Sequence, residues 1–146
     1  MSRAPALYVA EPRGLWLMRP AVVADCSVLA AVVFAEAKHK DAIDLLVGRA
    51  VHGPTLLPYE MANVATKKLC AGATQAEIDT ALADFAEQRI ELHAAPAEAL
   101  CTLCAQHGLS AYDAAYLWVA AELKATLATF DHKLAVAAQR HLGAAP

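Results

Sequence analysis

The chain has 146 residues, of which 58% are hydrophobic and 18% charged, with a formal net charge of −3. That length and apolar content fit one globular domain and exclude a disordered chain, and no apolar run reaches the roughly eighteen residues of a membrane span. A pI near 6.0 excludes retention on nucleic acid by bulk charge, but not a nuclease, which needs only a local basic rim.

Residues 1–20 are punctuated by Pro5, Pro12 and Pro20, and their apolar pieces are too interrupted for a signal peptide. They read as an N-terminal extension or a misplaced start, with the domain proper over 21–142 and a tail over 143–146. A mean hydropathy of +0.37 is high for a small domain and points to a self-association surface. The four cysteines, without a secretory signal, fit free thiols in a reducing cytoplasm.

Ala21-Val-Val-Ala24 is a short apolar strand ended by Asp25, and helical spacing follows in Val28–Phe34 and Ala42–Val47, with a polar break at Glu36–Asp41. Thr55-Leu-Leu57 reads as the end of a second buried strand. Pro58 then suits the first turn of a helix, where a missing N–H costs nothing, and Gly72 stops it. On that helix Met61, Val64, Ala65 and Leu69 form the inward stripe, while Glu60, Asn63 and Lys67 share another face. Thr74 and Glu77 make a capping box for the next helix. A third strand falls at Ile90–His93 and a further helix at Pro96–Gln106, ended by Gly108. Cys101-x-x-Cys104 lies in that helix. No second pair completes a tetrahedral metal site, so the pair reads as small buried residues beside Leu100 and Leu103.

Ser110 caps the helix that follows, placing Asp113 in its first turn, and the run Ala114–Ala121 makes it largely buried. Ala125–Phe130 is a buried strand, and Asp131 starts the last helix, to about His141. Strands alternating with helices predict an α/β domain with a mainly parallel sheet.

Asp25, Glu60, Asp113 and Asp131 each lie just after a strand or at a helix start. Any one of them is explained by capping. As a set they are not, because a parallel sheet gathers those points along one edge, where ligands bind. Ionised carboxylates about 4 Å apart repel by about 4 kcal/mol per pair at an effective dielectric near 20. Protonation, separation or a hard divalent cation relieves this, and such a cation activates water toward phosphodiester hydrolysis.

The residues that carry these acids resemble the PIN-domain ribonucleases, most of all the VapC-type toxins of bacterial toxin–antitoxin pairs. The matching pieces are Val22-Val-Ala-Asp25-Cys-Ser27, Pro58-Tyr-Glu60-x-x-Asn63, Leu109-Ser-Ala-Tyr-Asp113-Ala-Ala-Tyr116 and Leu127-Ala-Thr-Phe-Asp131-x-x-Leu134. The resemblance implies a PIN-like fold and an endoribonuclease in which Asp25, Asp113 and Asp131 hold Mg2+ or Mn2+, and Glu60 is a ligand or orients the water. It implies supporting roles for Ser27, Asn63 and Thr129, a homodimer, an RNA substrate, and neutralisation by a cognate antitoxin. Cys26 stands where the family commonly has a small or hydroxyl residue. Lys67 and Lys133 are candidate phosphate contacts on a thin basic rim that also counts Lys38, Lys40, Arg49 and Lys68. Tyr59 and Tyr112 flank site acids, with packing expected ahead of a groove role. His39, His52, His93 and His141 carry no signal. Two other readings compete: a phosphate-accepting receiver, which lacks the paired acids and middle-strand acceptor it needs, and a catalytically inactive PIN domain that binds RNA or protein as a regulator.

Overall fold

A computed structural model describes residues 19–143, so the expected N-terminal extension, but for Arg19 and Pro20, and the last three residues lie outside the description. Four strands form an all-parallel sheet in the order β3-β2-β1-β4. They are β1 (Ala21–Ala24), β2 (Ala50–Pro54), β3 (Glu91–His93) and β4 (Thr126–Ala128). Seven helices flank them: α1 (Cys26–Val33), α2 (His39–Leu46), α3 (Leu57–Cys70), α4 (Gln75–Glu87), α5 (Ala97–His107), α6 (Ala111–Leu123) and α7 (His132–Leu142). None is long and apolar enough to cross a membrane.

The centre of the sheet is its most apolar part. Val22, Val23 and Ala24 of β1 are buried, as a parallel strand covered on both faces requires. α6 packs across β1, β2 and β4, burying Ala114, Ala115, Tyr116, Leu117, Val119 and Ala120. Apolar residues face both the sheet and α5, so the run has no single stripe. α1 packs against α2, α3 and α4, and Val28, Leu29, Leu57 and Met61 join the same core.

The structure moves three expected boundaries. The second strand ends at Pro54, Thr55 and Leu56 form a turn, and Leu57 is already the first residue of α3. The Thr55 N–H closes the last rung on the His93 carbonyl at 3.0 Å, and Leu57 is apolar because it opens the helix wholly buried. Gly53 allows this tight return, since a Cβ there would stand 2.9 Å from Leu57 Cδ2. The polar break after α1 is also shorter than expected. α2 begins at His39, whose ring Nδ1 lies 3.2 and 3.1 Å from the carbonyls of Ala31 and Val32. β4 is confined to Thr126–Ala128, because Thr129 turns its hydroxyl toward Asp25.

Candidate active site

Asp25 follows β1 and caps α1, accepting the Val28 N–H at 3.1 Å. The Ser27 hydroxyl donates to its Oδ1 at 2.6 Å, and the Thr129 hydroxyl donates to Oδ2. Both hydroxyls accept in turn: Ser27 from the Phe130 N–H at 3.1 Å, Thr129 from the Asp131 N–H at 2.9 Å. The loop after β4 is thereby latched to the loop after β1. A carboxylate has about four acceptor positions, so three hydrogen bonds leave room for one further partner. Asp131 sits on the latched loop and caps α7 through the Leu134 N–H at 2.8 Å.

Asp113 lies in the first turn of α6, whose cap Ser110 accepts the Asp113 N–H at 3.1 Å. Glu60 lies in the first turn of α3. Electrostatic coupling joins the set: Glu60 to Asp25 and Asp113, and Asp113 to Asp131. The four expected acids therefore share one region at the carboxyl ends of the strands. Among the described residues, no three of them bring carboxylate oxygens within 4.8 Å of one another.

Their electrostatics are those of anions short of positive partners. Burial raises the pKa of Asp25, and the bonds from Ser27, Thr129 and Val28 restrain the rise. Burial likewise raises Glu60, the nearby Tyr116 hydroxyl tempers this, and Asp113 and Asp25 add to it. Burial and then Asp131 raise Asp113, against Ser110 and Lys133. Glu60 Oε1 and the Tyr116 hydroxyl are both out of solvent and have no hydrogen bond of regular geometry. A buried carboxylate oxygen without a donor is costly. With the desolvated carboxylates of Asp25 and Asp113 near it, this donor set fits a hard divalent cation.

The other candidates divide. Ser27 and Thr129 are at the centre of the site. Asn63 is exposed one turn beyond Glu60, and no hydrogen bond ties it to the acids. Lys133 lies close enough to lower the pKa of Asp113, whereas Lys67 is exposed near the end of α3. Lys68 is engaged with Glu36 at 2.7 Å and with the Phe34 ring. Lys38, which precedes α2, lies 4.7 Å above the ring of Phe130, the residue before Asp131. Cys26 is buried, and its thiol is pushed up to about 12 by burial and then by Glu60 and Asp25, so it is inert as a nucleophile.

Three expectations are corrected. Tyr59 and Tyr112 are not packed: they are 77% and 67% exposed beside Glu60 and Asp113. Each belongs to a first helical turn whose inward face is already taken by its neighbours. Cys101 is exposed and only Cys104 is partly buried, because Leu103 supplies the inward contact of α5; all four thiols are free. His52 and His93 do carry a signal, because strand pairing brings them together with Glu91. Potential ligand atoms of the three residues all lie within 4.8 Å of one another. The residues are 41 positions apart at the extremes of that pairing, which no local spacing reveals.

No curated protein matches the sequence. Among solved structures the fold resembles PAE2754 from Pyrobaculum aerophilum, with a TM-score of 0.62 over 86% of this chain and 95% of that one, at 21% identity. The sequence profile of the PIN domain family matches residues 22–139, from β1 to within α7. The chain belongs to the PIN domain family, whose members are generally nucleases that need a divalent metal.

Proposed function

We propose that this protein is a metal-dependent endoribonuclease toxin, acting in the cytoplasm as a homodimer and neutralised by a cognate antitoxin. The observation that carries the nuclease reading is the junction of four acids from four separate chain segments, with one Glu60 oxygen buried and without a regular hydrogen bond beside Asp25 and Asp113. Asp25, Asp113 and Asp131 would hold Mg2+ or Mn2+, partly through water, as suits Mg2+, which retains several of its waters. When bound, such an ion supplies Lewis-acid activation of water and neutralises charge developing on the phosphodiester.

The protein's own groups do the rest. Ser27 and Thr129 fix the Asp25 carboxylate, and through the latched loop they fix Asp131. Glu60 would orient the water by accepting a hydrogen bond from it, and burial raises its pKa toward the working range of a general base. Lys133 and Lys38 supply positive charge at the border of an acidic site, where phosphate would approach. The exposed rings of Tyr59 and Tyr112 offer stacking faces to unpaired bases, the usual means of gripping single-stranded RNA. Ile43, Leu45 and Val47 are exposed apolar groups on and after α2 that a second copy would cover.

The test is cleavage of a panel of tRNA, rRNA and mRNA by wild type and Asp113→Asn, with Mg2+ or Mn2+ and with EDTA. Discrete cuts that need metal and vanish in the variant support the reading. No cleavage by folded, antitoxin-free protein transfers the case to a binding-only PIN domain. Cleavage that survives Asp113→Asn overturns the assignment of the acids.

A further inference from the structure

We propose that His52, Glu91 and His93 form a second metal site, separate from the acids, that takes Zn2+ or a similar borderline transition ion. The site is a product of sheet register. In the parallel pair of β2 and β3, His52 stands opposite Glu91, so their side chains share a face. His93 is two residues beyond Glu91 on the same strand and returns to that face. The result is a triangle of donor atoms. His52 Nδ1 lies 3.0 Å from His93 Nε2 and 3.7 Å from Glu91 Oε2, and the ligand atoms of all three lie within 4.8 Å of one another. Donors on one tetrahedral Zn2+, at bond lengths of about 2.0–2.1 Å, are about 3.3 Å apart. The observed edges bracket that value.

Hydrogen bonding alone serves the triangle poorly. Nδ1 of His52 carries at most one proton, yet it faces both an imidazole nitrogen and a carboxylate oxygen. One proton between the two rings leaves Glu91 with no proton directed at it. A cation at the centre accepts a lone pair from each group at once. His52 is mostly buried, with 12% of its side chain exposed, so its ring is held in place, while Glu91 at 70% leaves a fourth position open to solvent.

The donor set separates this site from the acids. Two imidazoles and a carboxylate suit Zn2+, Co2+ or Ni2+, whereas a group made only of carboxylates suits Mg2+ or Mn2+. A metal here would also bridge β3 to β2. β3 is a three-residue edge strand with no other neighbour in the sheet, so the bridge would pin the sheet's least supported element.

The experiment is a Co2+ titration of the full-length protein in excess Mg2+, read by visible absorption, with Zn2+ stoichiometry from equilibrium dialysis. Wild type and Asp113→Asn are expected to bind a single Co2+ with tetrahedral bands that Zn2+ displaces. His93→Ala is expected to lose about tenfold or more in affinity, as is Glu91→Gln. Glu91 is largely exposed, so the second variant carries the test if the first does not fold by circular dichroism. Absence of these bands in wild type overturns the proposal. So does binding that survives both substitutions, or binding that Asp113→Asn abolishes.

Discussion

The two halves of the sheet hold their ionisable residues in different ways. On the β1–β4 half, Asp25 and Asp131 sit where strands end and helices begin and cap the helices that follow, and Glu60, from the helix after β2, and Asp113 join them from helix starts. On the β2–β3 half, the histidines and Glu91 sit within the strands themselves and meet only through pairing. The first arrangement is rigid because backbone N–H groups and two hydroxyls are spent on it. The second depends on a short edge strand and on three side chains facing one another. Carboxylates crowded by burial call for a hard cation, and imidazoles beside one carboxylate call for a softer one. The difference is one of donor chemistry: one group offers only carboxylate oxygens, the other two imidazoles and one carboxylate.

The largest expected effect breaks the acid half. Glu60→Gln keeps the shape of the side chain and removes the desolvated charge. Cleavage is expected to fall about a hundredfold or more, in line with the loss of a group that orients or deprotonates water. The metal-free variant is nonetheless expected to melt higher than wild type near neutral pH, because its buried carboxylate no longer opposes folding. Loss of activity together with loss of stability would show that Glu60 is a structural residue.

A pH profile sharpens the same point. Asp25, Glu60 and Asp113 all have pKa values raised in the folded state. The folded protein therefore holds protons there that the unfolded chain has released. Their contribution to stability is full below the ordinary values of 3.8 and 4.5 and is lost as pH rises through the raised ones. In EDTA, melting temperature should fall across that window, and Mg2+ should restore it most at the alkaline end, where the carboxylates are free to bind. A Mg2+ effect independent of pH would remove the carboxylates from its explanation.

Most of the β1–β4 half is legible in the sequence, and the reason is local. A capping serine three residues before Asp113, or an aspartate directly after an apolar strand, is a short-range signal with a short-range cause. The fold class follows from the alternation of elements, and the apolar runs mark β1, β3 and β4 but not β2. What escaped depends on distance along the chain. Nothing near His52 announces Glu91, because their meeting is decided by the register of two strands joined through α3 and α4. Tyr59 and Tyr112 were misjudged for a related reason. Their neighbours Leu57, Met61, Ala114 and Ala115 already fill the inward face, and composition does not tell which side of a first helical turn will be covered. The position of β2 slipped because Leu56 and Leu57 look like strand and act as the start of a helix.

Thr129→Val tests the latch between the two loops at smaller amplitude. The substitution is nearly isosteric but leaves the Asp131 N–H without its acceptor and removes one of the three donors to Asp25. It is expected to cost about 1–3 kcal/mol of stability and about 10–100-fold in Mg2+ affinity, the range typical of groups that orient a metal's ligands. Calorimetric Mg2+ titration beside thermal melting separates the two. A change in stability alone would reduce Thr129 to a loop fastener.

The smallest effect isolates the histidine half. Glu91 is largely exposed, and an exposed substitution typically changes stability by no more than about 0.5 kcal/mol. With Mg2+ as the only divalent ion, Glu91→Gln should therefore melt and cleave RNA like wild type. Zn2+ should then raise the melting temperature of wild type and do little for the variant, because a ligand that binds only the folded state stabilises it by an amount that grows with the logarithm of its concentration relative to Kd. Glu60→Gln should show the reverse, with an intact response to Zn2+ and an impaired response to Mg2+. If Zn2+ stabilises Glu91→Gln as well as wild type, the ion binds elsewhere, and the two halves of the sheet do not divide the metals between them.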